Sequence, residues 1–152
     1  DVHGSRGLGD VYKRQQEYVF GGTDWHPDIQ VKNELTKDPI RRNIQDTWNI
    51  YDPNLQLGNV TFGWLHEALK SCSALQKKAA KIKPPCLFAI AGQEKLVDNK
   101  KIRKLIRSMN HAKTIELPDS SHEIMIERDK IRDIFFKEFD IFLSTNGINI
   151  NK

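Results

Sequence analysis

The stretch Pro85-Cys86-Leu87-Phe88-Ala89-Ile90-Ala91-Gly92-Gln93-Glu94-Lys95-Leu96-Val97-Asp98-Asn99 decides how the rest of the chain is read. Cys86 to Ala91 is a continuous apolar run of strand length, the pattern of a strand covered on both faces. Gly92-Gln93-Glu94 turns the chain away from it, and Asp98 can cap a helix whose Ile102, Leu105, Ile106 and Met109 line one side. A second short strand is expected over 113–117, followed by the loop Pro118-Asp119-Ser120-Ser121-His122. A last helix then turns Ile131, Phe135, Phe139 and Phe142 inward, and the tail from Ser144 reads as frayed. Strand, helix, strand, helix in this order implies neighbouring parallel strands joined by a right-handed crossover.

Upstream the pattern is helical. Thr36 can cap a helix with Asp38-Pro39 in its first turn and Ile40, Ile44 and Trp48 on one face, stopped by Asp52-Pro53. Thr61 is the next cap, ahead of an apolar stripe of Phe62, Leu65, Leu69, Cys72 and Leu75, and Pro84-Pro85 ends that helix. Residues 17–30 are rich in turn formers and aromatics and read as a loop. Residues 1–15 show no periodicity and resemble a translated adaptor segment, so they are expected to be non-native. Two parallel strands do not make a stable sheet alone, because both faces and both edges need covering. The remaining strands are expected upstream, in residues this chain does not contain.

Composition narrows the function classes. With 152 residues the chain can bury one core, and a formal charge of +4 with acids and bases interleaved does not call for nucleic acid. Cys72 and Cys86 form no Cys-x-x-Cys pair, which fits a reducing compartment, and the expected location is the cytoplasm. His66-Glu67 and His122-Glu123 lack the second histidine of a zinc helix, having Lys70 and Ile126 there, so no metal is expected. Lys70, Lys77, Lys78, Lys81 and Lys83 read first as a solvated face and second as a patch for peripheral contact with anionic lipid.

The chemistry lies in the loops after the two strands. In open parallel sheets, sites gather at the carboxyl ends of strands, and here those ends carry Glu94 and His122. A carboxylate beside an imidazole is the orienting half of a nucleophile–histidine–acid triad. Asp98 is the alternative acid, though its place before a helix suits a cap. The competing structural reading of His122 is a helix start with Ser120-x-x-Glu123 as a capping box.

Residues 85–99, with Ser121-His122-Glu123-Ile124 and Glu127-Arg128-Asp129, resemble the acid-bearing loop and histidine loop of bacterial lysophospholipases. These belong to the monoacylglycerol-lipase-like branch of the α/β-hydrolases. Residues 33–69, with Asp38-Pro39 and Arg41-Arg42-Asn43, resemble that family's cap, and the likeness runs from about Phe20 to Leu143. The resemblance implies the C-terminal part of an α/β-hydrolase, with cap helices over 16–83, core over 84–143 and a tail over 144–152. It also implies an order of nucleophile, acid, histidine, with His122 and Glu94 as the last two. Glu94 stands where the family usually has Asp. Because cap helices in this family cover the substrate cleft, Phe62, Leu65 and Leu69 become candidates for an acyl-chain wall as well as for core. No Gly-x-Ser-x-Gly occurs, so nucleophile and oxyanion hole are absent from these residues. The expectation is a serine ester hydrolase acting on a lipid or small ester, without cofactor, whose serine lies upstream, and an inactive chain when taken alone. Carboxylesterase or aminopeptidase-like activity, or a non-catalytic binding domain, are the alternatives the fold leaves open.

Overall fold

Strand β1 (Cys86–Ala91) and strand β2 (Ala112–Leu117) pair in parallel, from Cys86 opposite Ala112 to Ala91 opposite Leu117. The structure is a computed structural model and describes residues 14–26 and 34–148. Most of the adaptor-like segment, Asn33 of the cap-like stretch and the last four residues lie outside that range. The remaining helices are α1 (Pro39–Tyr51), α2 (Phe62–Lys78), α3 (Asn99–Ile106) and α4 (Asp129–Thr145). The chain divides into two compact units, of which the second holds residues 34–47 and 79–148 and the first holds 14–26 and 48–78.

In the second unit, helix α3 connects the two strands and α4 follows β2. The core forms where Ile131 of α4 meets Ile115 and Leu117 of β2, with Leu87, Ala89, Ile124 and Phe135 packed around them. Removing each of the three central side chains from water contributes roughly 1.5–3 kcal/mol. Strand alternation turns Phe88 and Ile90 to the opposite face, where Ile90 is buried and Phe88 half-buried. The expectation of a strand covered on both faces therefore holds only at its end, Ile90 and Ala91; Cys86 to Ala89 are half-buried. An apolar run states what a strand can bury, and the layers packed on it set what it does bury.

Two helix ends differ from their sequence reading. Asp38, not Thr36, caps α1, accepting from the N–H groups of Ile40 and Arg41 at 3.0 Å each. Thr36 is buried instead, its hydroxyl donating to the Ile126 carbonyl. At the other end of the chain, α4 continues past Ser144 to Thr145. Gly147, at φ +78°, closes it in a Schellman motif, with Gly147 N–H bonded to Ser144 and Ile148 N–H to Leu143.

The first unit is built on α2. Residues Gln15 to Val19 run beside Val60 to Gly63, with Tyr18 and Thr61 in an antiparallel bridge. The ring of Phe20 meets that of Phe62 edge to face at 6.0 Å. Thr61 caps α2 through the Trp64 N–H, as its sequence suggests. The helix stops at Lys78, short of Pro84, and passes into a 3-10 turn, Ala79–Lys81. No residue of α2 is buried, and Leu65, Leu69 and Leu75 of its apolar stripe are exposed. Ile40, Ile44 and Trp48 of α1 are exposed too. Helical periodicity identifies which residues share a face but not whether anything covers it.

Candidate active site

The parallel register brings the ends of β1 and β2 level, so the loops that leave them start side by side. Backbone hydrogen bonds then stitch those loops together. The Gly92 N–H donates to the Leu117 carbonyl at 2.8 Å and the Gln93 N–H to the Ser120 carbonyl at 2.9 Å. The Gln93 side-chain amide adds a bond to the Pro118 carbonyl at 3.1 Å. The approach is close enough that a Cβ on Gly92 would stand 2.4 Å from the Pro118 oxygen, so only glycine fits there.

Two residues beyond Gly92, the Glu94 carboxylate folds back on its own turn. Oε1 accepts from the N–H groups of Leu96 at 2.6 Å and Val97 at 3.2 Å. Oε2 is thereby aimed across the gap, 2.7 Å from His122 Nδ1. The Glu94 side chain is 5 % exposed and that of His122 28 %. Burial pushes the Glu94 pKa up, but the Leu96 N–H, the His122 ring and the Val97 N–H together hold it below its ordinary value. An ionised carboxylate can only accept, so the proton between the two groups sits on Nδ1. That leaves Nε2 as the nitrogen with a free lone pair.

Asp98 has another place. Its carboxylate accepts from the N–H groups of Lys100 and Lys101 and caps α3. Nor does the capping box around His122 form. The Ser120 hydroxyl donates to the Ser121 carbonyl, and the short turn Ile124–Ile126 begins at Glu123 without a side-chain cap.

The histidine loop is held from beneath by residues to which the sequence reading assigns no individual role. His122 N–H reaches the Glu34 carbonyl at 3.4 Å, and Glu123 N–H the Leu35 carbonyl at 2.8 Å. Glu127 is fully buried, and its Oε1 accepts from the N–H of Ser121 at 2.8 Å and of Lys37 at 3.3 Å. Its Oε2 accepts from the Arg128 N–H at 3.2 Å and lies 3.6 Å from the Arg128 guanidinium. Burial raises the Glu127 pKa, and the N–H groups of Ser121, Arg128 and Lys37 outweigh it, leaving the group below its ordinary value. In sequence, Glu127-Arg128-Asp129 carries part of the family resemblance but no sign of burial, and only the backbone donors around Glu127 show its place under the loop.

Phe62, Leu65 and Leu69 lie on α2 in the first unit, while Glu94, Asp98 and His122 lie in the second. A cleft of about 570 Å³ opens between the end of β2 and the start of α4, lined by Lys37, Leu117, Pro118, Asp119, Arg128 and Ile131 among others. Neither Glu94 nor His122 lines it. Among the described residues no cluster of three or more His, Cys, Asp or Glu is placed to hold a metal ion. No described helix is long and apolar enough to cross a membrane.

Parallel strands with helices between and after them, here with an acid and an imidazole on adjacent strand-end loops, are the fold of part of an α/β-hydrolase. The profile of the family described as “Serine aminopeptidase, S33” matches residues 19–129. The chain belongs to that family. It is 31% identical over 140 residues to the “Probable lysophospholipase L2” of Haemophilus influenzae, covering 92% of this chain and 45% of that protein. The crystal structure of a soluble variant of monoglyceride lipase from Saccharomyces cerevisiae superposes with a TM-score of 0.65 at 19% identity. That match covers 89% of this chain and 46% of the yeast enzyme and shows the shared fold. The chain thus spans about half the length of the relatives it matches.

Proposed function

We propose that this chain is the acid-and-histidine portion of a serine ester hydrolase whose substrate is a lysophospholipid or a monoacylglycerol. The observation that carries the proposal is the 2.7 Å contact between His122 Nδ1 and Glu94 Oε2. In this reading a serine supplied upstream attacks the acyl carbonyl and His122 Nε2 takes its proton. Glu94 holds the ring in the tautomer that leaves Nε2 free, and stabilises the imidazolium that follows. His122 then returns the proton to the departing alcohol, and water activated by the same nitrogen releases the fatty acid. Phe62, half-buried, and Leu65 and Leu69, both exposed, are apolar side chains on one helix and are assigned to the acyl chain.

Support for a lipid ester comes from the names of the relatives, a lysophospholipase and a monoglyceride lipase. The family's description favours a second reading, hydrolysis of aminoacyl amides. The protein as encoded by the complete gene should be assayed against lysophospholipids, monoglycerides, short aryl esters and aminoacyl amides. Turnover of the first two above the others supports the proposal, and a preference for the amides replaces it with the second reading. Residues 16–152 alone should hydrolyse none of them, since covalent catalysis needs the nucleophile. Lys77 and Lys78, exposed at the end of α2, are assigned to weak attraction toward anionic membrane surfaces. Co-sedimentation with anionic but not neutral vesicles, lost at high salt, tests that assignment.

A further inference from the structure

We infer that Glu127 is a positioning residue for His122, a buried anion that fixes the histidine loop so that its ring meets Glu94. The inference rests on the proposed role of His122. Its physical ground is where the Glu127 hydrogen bonds go. Ionised carboxylates are rarely buried without a partner, because desolvating the charge is costly. Here the partners are chiefly backbone N–H groups rather than a second charge, and they belong to segments far apart in sequence. One is Ser121, the residue immediately before His122. Another is Lys37, in the segment whose Glu34 and Leu35 carbonyls receive the N–H groups of His122 and Glu123.

A single carboxylate therefore bonds both sides of the strap that holds the histidine backbone. Thr36 reinforces it from the same segment, its hydroxyl donating to Ile126 and accepting from Asp38 N–H. Arg41, on the first turn of α1, donates to the Glu127 carbonyl at 2.7 Å and ties the strap to that helix. With Glu94 fixed by its own turn and by Gly92, the histidine side of the contact is the one that needs an anchor. A neutral amide at 127 would keep the shape but present an NH2 group where the surrounding N–H groups need an acceptor. The loop would then settle elsewhere, and a displacement of about 1 Å at a catalytic base can cost on the order of 100-fold in rate.

The test is Glu127→Gln in the full-length protein, read in two ways. The first is kcat per active site, counted with a serine-directed fluorophosphonate. The second is the downfield proton resonance of a histidine Nδ1–H bonded to a carboxylate, which needs no turnover. The expected result is a fall in kcat of about 10- to 100-fold with KM within twofold, and loss or displacement of the resonance. Ile131→Val, which trims the core where α4 packs on β2, should lower the melting temperature without either change. Wild-type kcat per active site and an unmoved resonance in Glu127→Gln, even with a lower melting temperature, would overturn the inference. If Glu127→Gln does not fold, Glu127→Asp, one methylene shorter with the charge kept, is read against the same two outcomes. If the wild-type protein hydrolyses no ester or amide, the functional reading falls, while the resonance still decides the role of Glu127.

Discussion

Gly92 and Pro118 are the point at which the two strand-end loops touch: a side-chain carbon on Gly92 would meet the Pro118 oxygen at 2.4 Å and its Cα at 2.5 Å. The contact lies two residues before Glu94 and four before His122, so it sets the spacing of the pair. Gly92→Ala should force the loops apart. Overpacking of this kind costs about 1–3 kcal/mol, which a urea-unfolding midpoint of the complete protein would read directly. Activity should fall further than stability explains, because the Glu94–His122 distance stretches with the loops. A variant with wild-type kcat would show that the loops tolerate the added methyl.

The two candidate acids separate cleanly by mutation. Glu94→Gln keeps the size but allows an amide to face Nδ1, which favours the wrong tautomer; a change of this type in a triad acid costs about 10⁴ in kcat. Asp98→Ala should cost about 0.5–2 kcal/mol of stability through loss of the α3 cap and leave kcat near wild type. If Asp98→Ala abolished turnover while Glu94→Gln did not, the assignment of the acid would be reversed.

Acid stability follows from the same carboxylates. Glu94 and Glu127 both sit below the ordinary glutamate value of 4.5 in the folded chain. Between that value and their folded pKa values the unfolded state binds more protons than the folded state, so stability rises with pH across the window. Their contribution is complete above about pH 4.5, declines as pH falls below it, and is gone once both are protonated in the folded state. The difference in unfolding free energy between wild type and Glu127→Gln should therefore shrink as pH is lowered from 6 through the window. A difference that stays constant with pH would mean that Glu127 titrates normally.

The legible part of the fold was the part written in local pattern. The apolar run Cys86–Ala91, the cap at Asp98 and the order of strand, acid, strand and histidine all depend on neighbours a few residues apart. Glu94 could be preferred to Asp98 from sequence because a cap position already occupies Asp98. Thr36 and Glu127 could not be found that way. One partner of each, Ile126 for Thr36 and Lys37 for Glu127, lies about ninety residues off in the chain, and a Thr before Asp-Pro or a Glu before Arg-Asp carries the same local signal whether it faces water or a buried loop. The apolar stripes of α1 and α2 failed for the opposite reason. Their periodicity is clear, but burial belongs to what packs on a face, and on these faces the side chains are exposed.

That exposure makes the acyl-chain assignment testable apart from stability. Leu69 is 63% exposed and Leu65 38%, so replacing either should change the folding free energy by about 0.5 kcal/mol or less. If α2 instead lines the path of a fatty acyl chain, Leu69→Asp puts a charge where methylenes must lie. Each methylene in an apolar pocket is worth about 1–3 kcal/mol, so kcat/KM for a long-chain monoglyceride should fall by at least tenfold. A short aryl ester does not reach the wall and should be turned over as before. The informative quantity is the ratio of the two kcat/KM values, which cancels any loss of folded enzyme. An unchanged ratio in Leu65→Asp and Leu69→Asp would remove α2 from the substrate path and return its stripe to an ordinary packing role.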